Sequence, residues 1–170
     1  MIFPTKQQIK KLIHQSNLIE GIDDPKEDEQ SLHTWNWLTE QPDIDLYVIR
    51  KVQKMITINQ DLPPNARGYF RGEAGNNVNV RVGNHIPPNY NMVPILMENF
   101  ILDLKEEDSK WMHARFEDIH PFLDGNGRTG RMIMWYDQVQ REEDVWFILA
   151  DNRQAYYQWL NQTREKWSGM

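Results

Sequence analysis

One short segment concentrates side chains that can do chemistry. HPFLDGNGRTGR, residues 120–131, contains a histidine, a carboxylate, a glycine-rich turn and two arginines. His120 can take a proton from an incoming hydroxyl near neutral pH, where an ordinary imidazole titrates. Arg128 and Arg131 are three residues apart, so on a helix they share one face and can make forked contacts with phosphate oxygens. These residue types indicate chemistry on a phosphorus-centred group.

The same segment predicts where a phosphate and a metal ion would bind. Residues Gly125, Asn126 and Gly127 stand between two helical patterns, so their N–H groups and the positive end of the second helix dipole can converge on an anion. Asp124 would repel that anion unless a divalent cation lay between them, and carboxylate with phosphate oxygens is a usual ligand set of Mg²⁺. Mn²⁺ accepts the same ligands. The combination predicts in-line transfer of a phosphorus-centred group.

Taken singly, each of these features has an ordinary structural explanation. A histidine before a proline is commonly a helix-end residue, Gly-Asn-Gly is commonly a plain turn, and an arginine pair commonly lies on a solvated surface. A single short motif matches by chance far more often than a combination does. The coincidence of all three in one segment therefore favours the functional interpretation.

Helical periodicity on both sides of the segment predicts the elements that position it. Between them, VNVRV alternates apolar and polar residues, and Gly83-Asn84 is a two-residue turn signal, which predicts one small β-hairpin. The chain should thus be mainly α, with residues 1–60 forming N-terminal helices packed on a core of residues 61–170 in a single compact domain. The predicted helices cover residues 5–21, 28–40, 45–60, 93–104, 110–119, 127–140 and 152–167.

Composition excludes several classes of function. The 170 residues carry a formal net charge of −6, which disfavours broad binding to a nucleic-acid backbone. The chain contains no cysteine, so disulfides, cysteine-ligated zinc and a cysteine nucleophile are excluded. It shows neither the apolar run of a signal peptide nor a window apolar enough to span a membrane. We expect a cytoplasmic protein without a nucleic-acid or membrane partner, and assembly into homo-oligomers stays open.

The segment resembles the signature of the Fic family, His-x-Phe-x-Asp/Glu-Gly-Asn-Gly-Arg-x-x-Arg, and every fixed position is filled, Phe122 included. Other parts of the chain also look like Fic sequences. They are GYFR at 68–71, VRVGNHIPP at 80–88, VPILM at 93–97, FEDIHPF at 116–122 and NRQAYYQWL at 152–160. The resemblance implies a Fic-type helical bundle that transfers AMP from ATP to a side-chain hydroxyl of a target protein, with pyrophosphate leaving.

Carried over by position, the resemblance assigns a role to each signature residue. His120 would be the general base, Asp124 the Mg²⁺ ligand and Phe122 a buried anchor of the loop. Residues 125–127 would bind the α- and β-phosphates, with Asn126 contributing its amide. Arg128 and Arg131 would contact the outer phosphates. Tyr157 could stack on adenine, although an aromatic pair on a helix is more often part of a core.

A second motif lies near the N-terminus, in SNLIEG at residues 16–21. Ser16 and Glu20 are four residues apart and therefore neighbours on a helix face between apolar residues. With Gly21 they resemble the Fic inhibitory motif, Ser/Thr-x-x-x-Glu-Gly/Asn, in which the glutamate pairs with the second signature arginine, here Arg131, and occupies space that the γ-phosphate requires. The alternative is a surface glutamate that closes an amphipathic helix.

The predicted hairpin is the candidate docking site for a protein target. A free edge within residues 78–86, centred on Val80, Arg81, Val82 and Gly83, can pair with an extended segment and place its hydroxyl beside the base. A solvated hairpin that only packs is the alternative.

Three rival functions stay open beside AMP transfer. Phosphate transfer is typical of Doc-like relatives, but these carry lysine where this chain has Gly127. Removal of AMP from a modified target could use the same site. A catalytically silent Fic binding module, or an antitoxin-type partner, is a rival of another class, against which the intact His120 and Asp124 argue.

Overall fold

The computed structural model describes residues 3–168, with side chains up to residue 164. The described residues form seven α-helices and three short 3₁₀ turns, so the mainly helical prediction is confirmed. The α-helices are α1 (Lys6–Ile19), α2 (Pro25–Leu38), α3 (Leu46–Ile56), α4 (Val93–Leu104), α5 (Ser109–Ile119), α6 (Asn126–Gln140) and α7 (Arg153–Ser168). The outer limits of the two predicted units, residues 1–2 and 169–170, lie outside the described residues.

Side-chain caps begin four of the described helices, α1, α2, α3 and α5. Thr5 begins α1 with a capping box, in which its hydroxyl accepts from Gln8 N and the Gln8 side chain accepts from Thr5 N. Asp24 caps α2, which therefore begins at Pro25 rather than at the predicted residue 28. Helix α3 ends at Ile56, four residues before its predicted end, and the turn that follows places Gln60 at the signature segment.

Helix α6 forms the centre of the fold. Nearly all of its residues from 128 to 139 are buried, and α1, α3 and α5 pack around it. Gly130 permits the close approach of α5, because a β-carbon there would lie 2.6 Å from Glu117 Oε1 and 2.8 Å from a ring carbon of Phe116. The N-terminal helices thus share one hydrophobic core with the helices that carry the signature.

The predicted β-hairpin is wrong in its extent. The turn at Gly83-Asn84 is present, but only Val82 and His85 form a bridge, with two N–H···O bonds of 2.9 Å, and no strand occurs within residues 3–168. Pro87 and Pro88 have no N–H to donate, so the returning arm cannot continue a ladder. Residues Val80 and Arg81 lie outside any regular secondary structure. We call residues 78–88 the flap.

No helix within the described part of the chain combines the length and the hydropathy needed to cross a membrane. The longest, α7, has 16 residues and many polar side chains.

Candidate active site

The signature segment begins and ends in left-handed backbone. His120 ends α5 with φ 49° and ψ 63°, and Gly125 precedes α6 with φ 78°. The first bond of α6 runs from Thr129 N to Gly125 O (3.0 Å), so the N–H groups of residues 126–128 come too early to find an acceptor inside the helix. Unpaired N–H groups at a helix N-terminus are suited to bind an anion. We call residues 125–127 the phosphate nest.

Two buried side chains lock the loop between these points. Phe122 is fully buried and packs against Phe70 and Phe116, with ring centroids 5.0 and 6.5 Å away. The Asn126 side chain accepts from Phe122 N (2.8 Å) and donates to Phe122 O (2.9 Å). That amide is therefore engaged within the loop, which leaves the backbone N–H of Asn126 for an anion.

The imidazole of His120 lies at the start of the signature loop, directly after α5. Burial lowers its pKa to about 4, and the positive charge of Arg71 adds to the effect. The ring is consequently neutral at pH 7, the state in which it can accept a proton. Its backbone is fixed by α5, since His120 N donates to Phe116 O (3.0 Å), and by Arg71, whose Nε donates to His120 O (2.8 Å).

Asp124 and Arg128 are joined by a residue outside the signature. In the amide orientation that satisfies both neighbours, the Gln60 nitrogen donates to Asp124 Oδ2 (2.9 Å) and its oxygen accepts from Arg128 Nη2. The other Asp124 oxygen accepts from Gly125 N (2.7 Å). The buried amide of Gln53 donates to Asp124 O (3.1 Å) and to Ala66 O (3.0 Å). Gln60 and Gly125 thus orient the carboxylate at the mouth of the nest, and Gln53 fixes the backbone that carries it.

Arg128 is buried beside a carboxylate of α2. Its Nη1 lies 3.9 Å from Glu27 Oε2, and neither atom has a hydrogen-bond partner. Burial lowers the pKa of this guanidinium, while Asp124, Glu20 and Glu27 oppose the shift. A buried cation with an unpaired donor is suited to take an anionic ligand.

Arg131 is tied to α1 by three hydrogen bonds. Its Nε donates to Ser16 Oγ (2.7 Å), and its Nη2 donates to Ser16 O (3.1 Å) and to Glu20 Oε1 (2.7 Å). Arg131 is 1% exposed, whereas the Glu20 side chain is 36% exposed. Burial opposes the charge of Arg131, but the neighbouring Tyr156 and two carboxylates outweigh it and raise the pKa of this guanidinium.

The Glu20 carboxylate lies directly on the phosphate nest. A β-carbon built on Gly127 would lie 2.2 Å from Glu20 Oε1 and 3.0 Å from Arg131 Nη1, so only glycine leaves room for this contact. Gly21, with φ 73°, ends the turn that brings Glu20 there. The nest opens into a cavity of about 310 Å³ lined by His120, residues 124–128, Gln60, Ile22 and Glu20.

Buried titratable side chains lie behind Arg131. His113 Nε2 is 2.6 Å from the Tyr156 hydroxyl, and burial lowers the pKa of His113 to about 3. Burial raises the pKa of Glu117 to about 7. Tyr156 is buried and lies within 3.5 Å of Arg131 Nη1, whereas Tyr157 is 38% exposed. Tyr156 therefore supports Arg131, whereas the side chain of Tyr157 is partly open to solvent.

The match to a known family agrees with this geometry. The model of the Fic/DOC family matches residues 43–136. The chain belongs to the Fic/DOC family. The match begins before α3 and ends within α6, so it includes the flap and the complete signature.

Relatives of known name and structure extend the comparison. "Protein adenylyltransferase Fic" of Drosophila melanogaster is 30% identical over 137 residues, which cover 75% of this chain and 26% of the relative. The Drosophila ananassae protein of that name is 34% identical over 95 residues, 51% of this chain and 19% of the relative. This chain therefore spans about a quarter or less of these relatives' length.

A solved structure shows the same fold. The Fic family protein from Desulfovibrio desulfuricans G20 superimposes with a TM-score of 0.74 at 18% identity, covering 96% of this chain and 60% of that one. The Fic-type helical fold predicted from the signature is thereby confirmed.

The structure brings the predicted residues of the Fic signature together, and it adds others that the sequence reasoning missed. Glu20, His120, Asp124, the phosphate nest and Arg128 line one cavity, and Arg131 adjoins it through Glu20. The missed residues are Arg71, Gln53, Gln60, Glu27 and Tyr156. Arg71 and Tyr156 lay in segments, GYFR and NRQAYYQWL, that looked like Fic sequences. Nothing in the local sequence indicates Gln53, Gln60 or Glu27, because each acts on a residue more than 20 positions away.

Proposed function

We propose that this Fic domain is a nucleotidyltransferase that moves AMP from ATP to a Ser, Thr or Tyr hydroxyl of a target protein. The observation that carries the proposal is the contact of a carboxylate with the phosphate nest. A side-chain anion at the N-terminus of α6, bonded to the second signature arginine, supports the binding of a negatively charged ligand at this end of the helix. The relatives' name, adenylyltransferase, supports AMP as the transferred group.

In this reaction each residue has a role that follows from its position in the site. His120 accepts the proton of the target hydroxyl, whose oxygen attacks the α-phosphorus of ATP. The bond from that phosphorus to the β-phosphate oxygen breaks, and pyrophosphate leaves. The N–H groups of the phosphate nest bind the negative charge that develops on the phosphate oxygens. Arg128 and Arg131 bind the outer phosphates as the leaving group gains charge.

Asp124 fits a magnesium site completed by substrate. Among the described residues no cluster of three or more His, Cys, Asp or Glu could bind a metal ion by itself. Mg²⁺ commonly binds one or two carboxylates together with phosphate oxygens and water, and Asp124 presents its carboxylate at the nest. Mg²⁺ or Mn²⁺ bound there would neutralise phosphate charge.

Glu20 is proposed to inhibit the domain in its resting state. The carboxylate engages Arg131 and covers Gly127, so ATP would meet a negative charge where its outer phosphate must lie. Productive binding then requires Glu20 to leave, because an anion and a carboxylate cannot share one guanidinium without repulsion. Ser16 contributes by bonding Arg131 on its other edge.

The exposed flap is proposed to bind the target, and Tyr157 the adenine. Val80, Arg81, Val82 and Gly83 have few backbone partners beyond the single bridge, so an extended segment could bond to them. Tyr157 lies in tilted contact with Tyr156, 5.6 Å between centroids, which brings it near Arg131.

Labelled ATP tests the reaction. The Glu20→Gly protein should label itself from α-labelled ATP and not from γ-labelled ATP, since only AMP transfer moves the α-phosphorus to protein. His120→Ala in that background should lower labelling about a hundredfold or more while ADP binding persists. His33→Ala, an exposed histidine of α2, serves as the control.

Two results would contradict the proposal. Transfer of the γ label would identify a phosphotransferase. Binding of ATP without transfer of either label, to the chain itself or to proteins of a lysate, would identify a silent binding module.

A further inference from the structure

A buried arginine outside the signature connects the base to the flap. Arg71 is fully buried, and its guanidinium donates only to backbone carbonyls. The bonds to the end of α5 run from Nε to His120 O (2.8 Å) and from Nη2 to Ile119 O (3.0 Å). The bonds to the flap run from Nη1 to Val78 O and from Nη2 to Pro88 O, both 3.1 Å.

These contacts replace the ladder that the flap lacks. Val78 and Pro88 are the two ends of the flap, and one planar guanidinium joins both of them. The backbone of Arg71 adds a fifth bond, from its N–H to Pro121 O (2.7 Å). Packing here is tight, because a β-carbon on the next residue, Gly72, would lie 2.2 Å from Tyr90 O.

No carboxylate within residues 3–164 lies at ion-pair distance from Arg71. Burial accordingly lowers the pKa of this guanidinium, and its charge costs folding free energy that no counter-ion offsets. If Arg71 served stability alone, a buried apolar side chain would cost less folding free energy than a buried charge. The planar, forked guanidinium instead supplies fixed hydrogen bonds to three separate segments.

We propose that Arg71 is a positioning residue that fixes the carbonyl of His120 and both ends of the flap in one arrangement, so that the base and the bound target are set relative to each other. The inference rests on the proposed function. His120 has a left-handed backbone, which is costly for a residue with a side chain, and the bond to its carbonyl stabilises that conformation.

The charge of Arg71 has a second effect that geometry alone would not produce. Burial is the largest cause of the lowered pKa of His120, and the charge of Arg71 is the second largest. His85 and Arg164 act in the same direction, and Glu20 acts against them. Removal of the charge should therefore raise the pKa of His120. Loss of the planar, forked guanidinium with the charge kept should leave that pKa unchanged.

Two substitutions separate the fork from the charge. Arg71→Met loses both, and Arg71→Lys keeps the charge without the planar fork. Arg115→Met, a partly exposed arginine on α5 that faces Asp103, is the matched control. All three are prepared in the Glu20→Gly protein, and ADP binding by titration reports whether the nest is intact.

Hydrogen exchange and NMR titration test the idea without any transfer assay. Both Arg71 variants should increase backbone exchange across residues 78–88 about tenfold or more, which corresponds to loss of a locally stabilising contact. The His120 imidazole should titrate at a higher pH in Arg71→Met and near the wild-type pH in Arg71→Lys. Unchanged flap exchange in folded Arg71→Lys would overturn the proposal, whether or not Arg71→Met folds.

Kinetics of self-labelling then examine the functional half of the inference. We expect kcat to fall in both Arg71 variants while KM for ATP stays within about twofold, because the nucleotide site does not contain Arg71. A rise in KM for ATP with unchanged kcat in both variants would contradict the proposal that Arg71 positions the base. If the Glu20→Gly parent transfers no label, the proposed function fails, and the exchange and titration results still decide the structural role of Arg71.

Discussion

His120 combines a strained backbone with a depressed pKa. Its left-handed conformation turns the chain from α5 into the signature loop, and burial with Arg71 nearby lowers its pKa to about 4. Both properties serve a general base, since the first sets its direction and the second removes the proton that would block it.

The pH dependence of labelling follows from that pKa. A base with an ordinary imidazole would lose activity below pH 6.5, as protonation removes its lone pair. His120 stays neutral until the pH approaches about 4, so kcat/KM for ATP of the Glu20→Gly protein should stay level from pH 7 to about 5.5, because this ratio reports the free enzyme. Rates measured at saturating Mg²⁺ and at ATP concentrations well below KM, with the protein's fold checked by circular dichroism at each pH, provide the test. An acidic limb centred near 6.5 would contradict the assignment.

Asp124 should govern the metal requirement. Asp124→Ala removes the carboxylate that fits Mg²⁺ at the nest, so we expect the Mg²⁺ concentration for half-maximal labelling to rise about tenfold or more. Mn²⁺ binding followed by electron paramagnetic resonance in the presence of ADP gives a readout independent of transfer. Asp61→Ala, a carboxylate in the segment after α3, is the control. An unaltered Mg²⁺ dependence would remove Asp124 from the metal site.

At the scale of single residues, the sequence predicted the signature residues and missed the residues elsewhere in the chain that contact them. A run of fixed spacing such as residues 120–131 is visible in one dimension because its members lie within twelve consecutive residues. Gln60, in the turn after α3, and Glu27, on α2, lie beside Arg128, and no local pattern marks a glutamine or glutamate for such a contact. Their roles depend on tertiary packing, which periodicity does not specify.

The helices, as elements, were predictable because their signals are local. Helix α4 has the predicted bounds, and the other boundaries differ by a few residues where a cap acts. The flap was harder to predict. Alternation in VNVRV predicted strands, but apart from the bridge between Val82 and His85 the two arms bond to Arg71 and not to each other. Residues with high β-propensity form strands only where neighbouring strands are available to pair and pack with them, and this segment has none.

Packing of α5 on α6 depends on one glycine. Gly130→Ala would place a methyl group 2.6 Å from Glu117 Oε1 and 2.8 Å from Phe116, both on α5. Overpacking of this kind costs about 1–3 kcal/mol, which exceeds the gain of up to about 1 kcal/mol from better helix propensity. Urea unfolding should therefore show a lower midpoint with an unchanged slope. A midpoint at or above wild type would mean that the two helices separate without cost.

For the molecule as a whole, the N-terminal helices are joined to the site by polar contacts as well as by the core. Asp28 of α2 accepts from Asn17 (2.7 Å) and lies 2.7 Å from His14, both on α1. Gln15 accepts from Ala150 N (2.8 Å), just before α7. These contacts fix the register of α1, so Glu20 is presented to Arg131 across 111 positions of sequence.

The strength of inhibition depends on how far the Glu20–Arg131 pair is withdrawn from water. An exposed ion pair contributes about 0–1 kcal/mol, and breaking a buried one costs about 3–5 kcal/mol. Here the arginine is 1% exposed and the glutamate 36%, which places the pair between these cases. A coupling of about 1–3 kcal/mol corresponds to roughly 5–150-fold in activity.

Glu20→Gly should accordingly raise self-labelling from α-labelled ATP by at least about fivefold, because Arg131 and the phosphate nest become free for the outer phosphates. Asp23→Gly removes an exposed carboxylate three residues away and should leave labelling at the wild-type level. Glu20→Gln, which keeps the shape without the charge, should fall between them, since the amide can still accept from Arg131 but repels phosphate less. Arg131→Ala added to Glu20→Gly should abolish the gain, because the freed guanidinium is what productive ATP binding needs. If Glu20→Gly and Asp23→Gly label equally, the carboxylate on Gly127 does not limit ATP binding, and α1 is scaffold for a site that is active as it stands.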